Sequence, residues 1–241
     1  MGLNHGWRGP NIVRDGLVLY LDAGSPNSYQ GTGTIWKDIS KVNQNNGTLI
    51  NGPTFDSGNG GSIVFDGTND TVDFGNVLNL GINDLTINQW IKITSSLVST
   101  TCSLSKAFLG GQNYRYALLY NGTAIRPFFQ GNGGADIQPT TPSLNINQWY
   151  NVTVIFNRSS SINVFVNGIQ QTLTGNNVIS QWDGLNFQSP NPFRVGSYTG
   201  SGNSIQFPFP GFISTTLVYF KALSAQEVLQ NYNATKGRFG L

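Results

Sequence analysis

Four side chains that could bind a metal lie within eight residues of one another in a chain that is otherwise poor in charge. They are Asp66, Asn69, Asp70 and Asp73. Calcium in proteins takes about six to eight oxygen ligands, several of them carboxylates, so this run could supply half of a calcium site. The alternative is an ordinary hairpin turn, because apolar residues alternate on both sides of the run within residues 62–74.

Cleavage of a glycosidic bond would require a pair of carboxylates. The only glutamate is Glu227, which the pattern assigns to a helix cap. Asp66 and Asp70 are the most obvious aspartate pair, but they lie across a turn, and the sequence indicates no apolar pocket for a general acid. His5 is the only histidine and would have to serve in any Ser-His-Asp or Cys-His arrangement. We therefore expect no catalytic residues, and a glycoside hydrolase is the least favoured alternative.

Glycan binding without a metal is a further possibility. Tyr198, Asn203 and Trp182 lie in or beside expected loops, where an aromatic face and an amide could contact a sugar. The alternative is that both rings cover the ends of the β-structure.

The segment 1–14 has little core-forming pattern. It reads either as a loose terminus or as an arm that docks on a neighbouring subunit through Trp7 and Arg8. The sequence supports the two interpretations equally.

The composition favours an all-β protein. Of the 241 residues only 10% are charged, while 38% are hydrophobic and 12% aromatic, which argues against disorder. The net charge of +2 and the absence of a basic run argue against nucleic-acid binding. Cys102 is the only cysteine, so no intrachain disulfide can form. Residues 1–10 contain no apolar signal core, and no apolar run is long enough to cross a bilayer.

Short apolar runs separated by turn residues predict the strands that would position these side chains. The predicted strands are 17–22, 47–51, 62–65, 71–74, 85–93, 117–120, 125–130, 149–157, 161–166, 193–196 and 211–220. Asn167-Gly168 and Asn121-Gly122 are hairpin signals. The tetrapeptide Ile-Asn-Gln-Trp occurs at 87–90 and at 146–149, and we interpret the two copies as facing core strands with buried tryptophans.

One short helix is predicted near residues 224–233, where Ser224 and Glu227 have the spacing of a capping box. Beyond it, Phe239 and Leu241 could dock back on the domain or on a partner.

These pieces together resemble the laminin-G-like group of concanavalin A-like lectin/glucanase domains. The matching motifs include Leu-Val-Leu-Tyr-Leu-Asp at 17–22, Ser-Ile-Val-Phe-Asp-Gly at 62–67, Val-Asn-Gly at 166–168 and Ala-Leu-Ser-Ala-Gln-Glu at 222–227. The resemblance covers about residues 15–235 and implies a two-sheet antiparallel jelly-roll sandwich. It divides the chain into an arm (1–14), a domain (15–235) and a tail (236–241).

The same resemblance sharpens the calcium hypothesis. Asn69 and Asp70 match the position at which calcium-binding relatives supply ligands, but the loop 197–204, which should complete the site, has no carboxylate. The resemblance therefore implies no cofactor, or weakly bound calcium.

The two ends, 15–24 and 229–241, are similar to versions of this domain in virion proteins of tailed bacteriophages. The resemblance implies a non-enzymatic structural protein that decorates a capsid or tail, or adheres to surface glycans. The resemblance implies other virion proteins as partners and several copies of this chain on the particle, with no nucleic acid and no membrane insertion. The protein would be made in the host cytoplasm. The alternative is a free calcium-dependent lectin or adhesin module.

Overall fold

The computed structural model describes residues 11–42, 44–95, 99–109, 114–131 and 133–241, and nearly all of its regular structure is β. The strands are β1 (Leu17–Asp22), β2 (Ile35–Trp36), β3 (Gly47–Ile50), β4 (Thr54–Asp56), β5 (Ser62–Asp66), β6 (Thr71–Asp73), β7 (Leu85–Ile93), β8 (Thr100–Lys106), β9 (Arg115–Asn121), β10 (Ala124–Gln130), β11 (Trp149–Phe156), β12 (Ile162–Val166), β13 (Ile169–Gln170), β14 (Phe193–Val195), β15 (Tyr198–Thr199), β16 (Ile205–Gln206) and β17 (Pro210–Tyr219). One helix, α1 (Ala225–Thr235), follows them and continues into a 3-10 turn at Lys236–Phe239. No helix in the described ranges is long and apolar enough to cross a membrane.

The strands form two large antiparallel sheets. The larger has the order β13-β12-β11-β7-β17-β5-β4, and β1 pairs with the second half of β17 on the side where β5 pairs with the first half. The smaller has the order β10-β9-β8-β14-β6-β3-β2, and β15 and β16 form a separate hairpin. The prediction of an all-β antiparallel sandwich with one short C-terminal helix is confirmed.

The main core lies between the two sheets. Alternate residues of β7, among them Leu85, Ile87 and Ile91, pack there against residues of the other sheet such as Leu104 and Leu118. This alternation follows from the strand period of two residues. Burial of so many large apolar side chains is the main source of stability in such a sandwich.

A second cluster covers the outer face of the larger sheet. Tyr219 and Phe165 pack there against Val228 of α1, and the Tyr219 hydroxyl donates to the carbonyl of Val13 at 3.1 Å. Ile12 and Val13, which belong to the predicted arm, are buried in this cluster. The boundaries at 14 and 235 stay predictions, although these contacts join residues on both sides of the first boundary.

The structure contains the helix cap and the hairpin turn that the sequence predicts. Ser224 caps α1, with its side chain accepting from the backbone N–H of Glu227 in a full capping box. At the β12–β13 hairpin both Asn167 and Gly168 have positive φ, at 52° and 77°, as the Asn-Gly pair requires.

Two expectations about strand pairing are wrong. β5 and β6 belong to different sheets, so residues 66–70 turn the chain from one sheet to the other and form no hairpin. The two Ile-Asn-Gln-Trp copies do not face each other across the core either, because β7 and β11 are neighbours in one sheet, with Trp149 opposite Lys92. Trp90 is fully buried, whereas Trp149 is half-buried.

The sequence also missed β8. Its residues are mostly Thr, Ser and Lys, with only Cys102 and Leu104 apolar, so the alternation that marks other strands is absent. Ser103 instead donates to the Gln89 side chain at 2.6 Å inside the core.

Candidate functional site

A polar groove of about 790 Å³ lies between β1 and the loop that joins β2 to β3. Its volume is within the range typical of ligand pockets, about 300–1,000 Å³. The ring of Tyr20 and the side chain of Asp38 belong to its lining. The other polar side chains along it are three cations, three amides and one hydroxyl: Arg14, Lys37, Lys41, Asn27, Gln44, Asn46 and Ser40.

Asp38 connects the loop between β2 and β3 to β1 through hydrogen bonds. One carboxylate oxygen accepts from the backbone N–H groups of Tyr20 at 3.0 Å and of Ser40 at 2.8 Å, and the other accepts from Asn45 at 3.1 Å. The backbone N–H of Asp38 donates in turn to the Asn46 side chain at 3.0 Å. Both oxygens of the carboxylate are thus engaged, and they connect Ser40 and Asn45 of the loop to β1.

Tyr20 brings an aromatic ring into the groove. Its hydroxyl donates weakly to Asp22 at 3.4 Å, and the Arg14 guanidinium lies over its ring at 5.4 Å from the centroid. Burial, with a smaller contribution from the negative charge of Asp22, raises the pKa of Tyr20 to about 12. The hydroxyl is therefore a permanent hydrogen-bond donor at physiological pH.

The groove offers no free carboxylate among the residues that the structure describes. Of the described residues that line it, only Asp38 carries a carboxylate, and both oxygens of that carboxylate accept backbone N–H groups. In most glycoside hydrolases two carboxyl groups flank the scissile bond, and the groove has one. Glu227 is engaged elsewhere, since its two oxygens contact Lys221 and the Ser224 cap.

The predicted calcium residues form a structural turn. Asp70 is buried and accepts from the backbone N–H of Asp66 at 3.0 Å, and the Asn69 carbonyl accepts from the Asn51 side chain at 2.9 Å. Burial raises the pKa of the Asp70 carboxyl. In the described ranges no three His, Cys, Asp or Glu side chains are grouped to hold a metal. Because calcium also accepts amide and carbonyl oxygens, binding by Asn69 and Asp70 stays a prediction.

The three residues predicted to bind glycan do not lie together. Tyr198 and Asn203 belong to the region of the β15–β16 hairpin, where the Tyr198 ring is buried against Phe128 and Phe207. Trp182 is buried in the main core beside Phe129. Neither ring offers an open face for stacking in this conformation, while Asn203 is exposed. Trp7 and Arg8, predicted to dock a partner, lie outside the described residues.

Lys106 is a buried lysine of the kind that can serve as a nucleophile. Burial lowers its pKa to about 8. However, its ammonium donates to the Asn76 side chain and to the Asn191 carbonyl, both at 2.9 Å, and the adjoining cavity holds only about 10 Å³, which is about one water molecule. Lys106 is therefore a structural residue with no room for a substrate.

Replacing Lys106 by methionine is expected to change how stability depends on pH. Its pKa in the folded protein, about 8, is below the ordinary value of 10.5, so the unfolded chain binds more protons between these values. The free energy of unfolding of the wild type, relative to that of Lys106→Met, should therefore increase as pH rises from 7.5 to 9.5. The increase should be smaller than the limit for one proton, which is about 1.4 kcal/mol per pH unit. Urea unfolding of both proteins across this range measures the difference, and parallel curves would contradict the assignment.

The sequence did hold a signal for the groove. Residues 37–46 place two lysines, an aspartate and four amide side chains in one short stretch of a chain that has few charges. That stretch lies between two short strands, of which only the second was predicted. No pattern in the neighbouring sequence predicts that residues 37–46 contact Arg14 and Tyr20.

Comparison with known proteins agrees with this architecture. A laminin-G-type family model, described as the concanavalin A-like lectin/glucanases superfamily, matches residues 66–229. No curated protein matches the chain.

Several solved structures share the fold. Trypanosoma rangeli sialidase in complex with sialic acid has a TM-score of 0.65 at 16% identity, over 92% of this chain and 33% of the sialidase. The binding domain of Paraclostridial Mosquitocidal Protein 1 has a TM-score of 0.67 at 17% sequence identity. The match covers 92% of this chain and 52% of that one. A third structure is domain 4 of AbnA, a GH43 extracellular arabinanase from Geobacillus stearothermophilus, in complex with arabinotriose. It has a TM-score of 0.64 at 16% sequence identity, and the match covers 90% of this chain and 98% of that domain. The chain thus spans about a third of the sialidase, and at these identities the likeness shows the fold alone.

Proposed function

The chain belongs to the concanavalin A-like lectin/glucanase superfamily, and from that premise we propose that it is a non-catalytic domain that binds a glycan in the groove between β1 and the 37–46 loop. The observation that carries the proposal is the lining of the groove, which combines an aromatic ring, cations and amides with a single, fully engaged carboxylate. Such groups bind and orient a sugar without cleaving it.

The comparison with the arabinanase domain supports this proposal. That domain is described in complex with arabinotriose, and this chain covers nearly all of its length. A whole domain of the same fold and size therefore accommodates a saccharide. The hydrogen bonds of Asp38 support it too, since groups held in place before binding lose less entropy on binding.

Binding is tested on a glycan array with the wild-type protein in calcium and in EDTA. We expect binding in both, with Asp38→Ala reducing it at least tenfold because the loop loses its three backbone contacts. Asp56→Ala is the matched control, since Asp56 is exposed and accepts one backbone N–H at 2.8 Å outside the groove. Thermal unfolding of each variant separates loss of the site from loss of the fold.

A second variant avoids disturbing the loop. Asn27 is exposed in the groove, and Asn27→Ala is expected to weaken binding severalfold, as loss of one or two hydrogen bonds would. Binding that disappears in EDTA would instead favour a calcium-dependent lectin built on Asn69 and Asp70. No binding to any glycan would contradict the proposal.

We place this domain on the virion of a tailed bacteriophage, as a decoration or adhesion protein. The support is the resemblance of the segments 15–24 and 229–241 to such proteins. Mass spectrometry of purified virions tests the location, and absence of the protein from the particle would exclude it.

A further inference from the structure

We infer that the ligand of the groove is a negatively charged oligosaccharide, an inference that rests on the proposed function. Arg14, Lys37 and Lys41 are exposed along the groove, and none forms an ion pair with a described residue. Against these three cations the lining has one carboxylate, Asp38, so its formal charge is +2. The whole chain has a net charge of +2 as well, so the charged side chains outside the groove balance one another in number.

Lys37 is held in place by its own backbone. Its N–H donates to the Ser28 carbonyl at 2.8 Å, and the Ser28 hydroxyl donates to the Lys37 carbonyl at 2.6 Å. Ser28 is buried, and its hydroxyl also accepts from the N–H of Asp22 at 3.0 Å. The ammonium of Lys37 therefore extends from a fixed point, which lowers the entropic cost of fixing it on an anion.

A second depression adjoins the groove at Lys37. It has a volume of about 150 Å³, and Lys37 lines it as well as the groove. Its other polar side chains carry hydroxyl and amide groups, as in Gln30, Thr32 and Thr34, and none is charged. The arrangement fits a ligand of at least two sugar units, in which an acidic unit lies in the main groove and a neutral unit lies beyond Lys37.

The surroundings keep the groove positive. Asp22, which accepts from the Tyr20 hydroxyl, is paired with Arg238. Asp15, the neighbour of Arg14 in the chain, is paired with Lys221 at 2.7 Å. Opposite charges near the cations are thus neutralised by partners outside the groove, and an anionic ligand would meet little repulsion.

Three matched pairs of probes test the charge of the ligand by isothermal titration at low and high salt. They are tetragalacturonate and its full methyl ester, sialyllactose and lactose, and sulfated and unmodified maltotetraose. We expect at least tenfold tighter binding of the charged member in a pair that binds, and weaker binding at high salt. The first two pairs report a carboxylate ligand and the third a sulfate.

The variant for this test is Lys37→Gln/Lys41→Gln, with Lys236→Gln as a control for loss of positive charge outside the groove. The double variant should lose about tenfold or more in affinity for the charged probe and less than twofold for its neutral counterpart. Equal affinity for both members, an unchanged double variant, array ligands that are all neutral, or tighter binding of a single-stranded oligonucleotide would each overturn the inference. Neutral glycan binding that Asn27→Ala weakens would leave the proposed function intact, whereas no glycan binding at all would remove both.

Discussion

Replacement of Arg158 by methionine is expected to lower the free energy of unfolding by about 3–5 kcal/mol, because a buried hydrogen-bonding centre would be lost. Arg158 is fully buried, and its guanidinium donates to four backbone carbonyls. These belong to Gly81, Asn83, Trp182 and Leu185. The guanidinium therefore joins the segment before β7 to the segment around Trp182.

The burial of Arg158 explains the size of this effect. No carboxylate contacts its guanidinium within the described residues, and burial lowers its pKa, opposed by the more distant Asp183 and Asp84. The cation is stabilised by carbonyl dipoles and by the Phe187 ring, 4.4 Å from Cζ. A methionine would fill the space but would leave the carbonyls without their donor, and buried carbonyls without a donor are costly.

Urea unfolding followed by tryptophan fluorescence measures the loss. Arg158→Lys is expected to recover only part of it, because an ammonium lacks the planar fork that reaches four acceptors. Arg126→Met is the matched control: Arg126 is half-buried and donates to the Thr100 hydroxyl at 2.9 Å, so its removal should cost less than about 1 kcal/mol. A loss of similar size in both variants would show that the carbonyl network is unimportant.

Replacement of Trp90 by alanine is expected to cost about 3–5 kcal/mol as well, since it would open a large cavity. Trp90 is fully buried on the outer face of the larger sheet and stacks on Phe239 with 3.9 Å between ring centroids. Its indole N–H donates to the Thr235 hydroxyl at 2.8 Å, and Tyr232 stacks at 6.0 Å. The side chain thus holds the end of α1 and the following turn on the sheet.

Hydrogen exchange adds a local measurement to this prediction. In Trp90→Ala the backbone amides of residues 225–239 should exchange through local opening. The free energy of that opening should be well below the free energy of global unfolding. Trp149→Ala is the matched control, from the second copy of the same tetrapeptide. Trp149 is half-buried and contacts Phe239 at 4.8 Å, so its removal should cost about 1–2 kcal/mol. Protected helix amides in Trp90→Ala would show that α1 is held by the cluster around Val228 alone.

The sequence alone determined the features that rest on near neighbours in the chain. Alternating residues in 85–93 predicted β7 at its observed bounds, the Ser224–Glu227 spacing predicted the start of α1, and Asn167-Gly168 predicted a hairpin. These elements depend on period, capping and turn conformation, which act over a few residues. Their order was sufficient to predict the fold class and the family.

The tertiary structure decided which side chains meet. The groove brings Arg14 and Tyr20 together with Lys37 and Lys41, which only the contacts of Asp38 with β1 make possible. Folding buries Trp182 and Tyr198, whereas the sequence left open whether their rings face a ligand or cover the β-structure. It also sends the chain from one sheet to the other at 66–70. Contacts between residues distant in the chain depend on how the elements pack, and the period of a strand does not specify which strand it packs against.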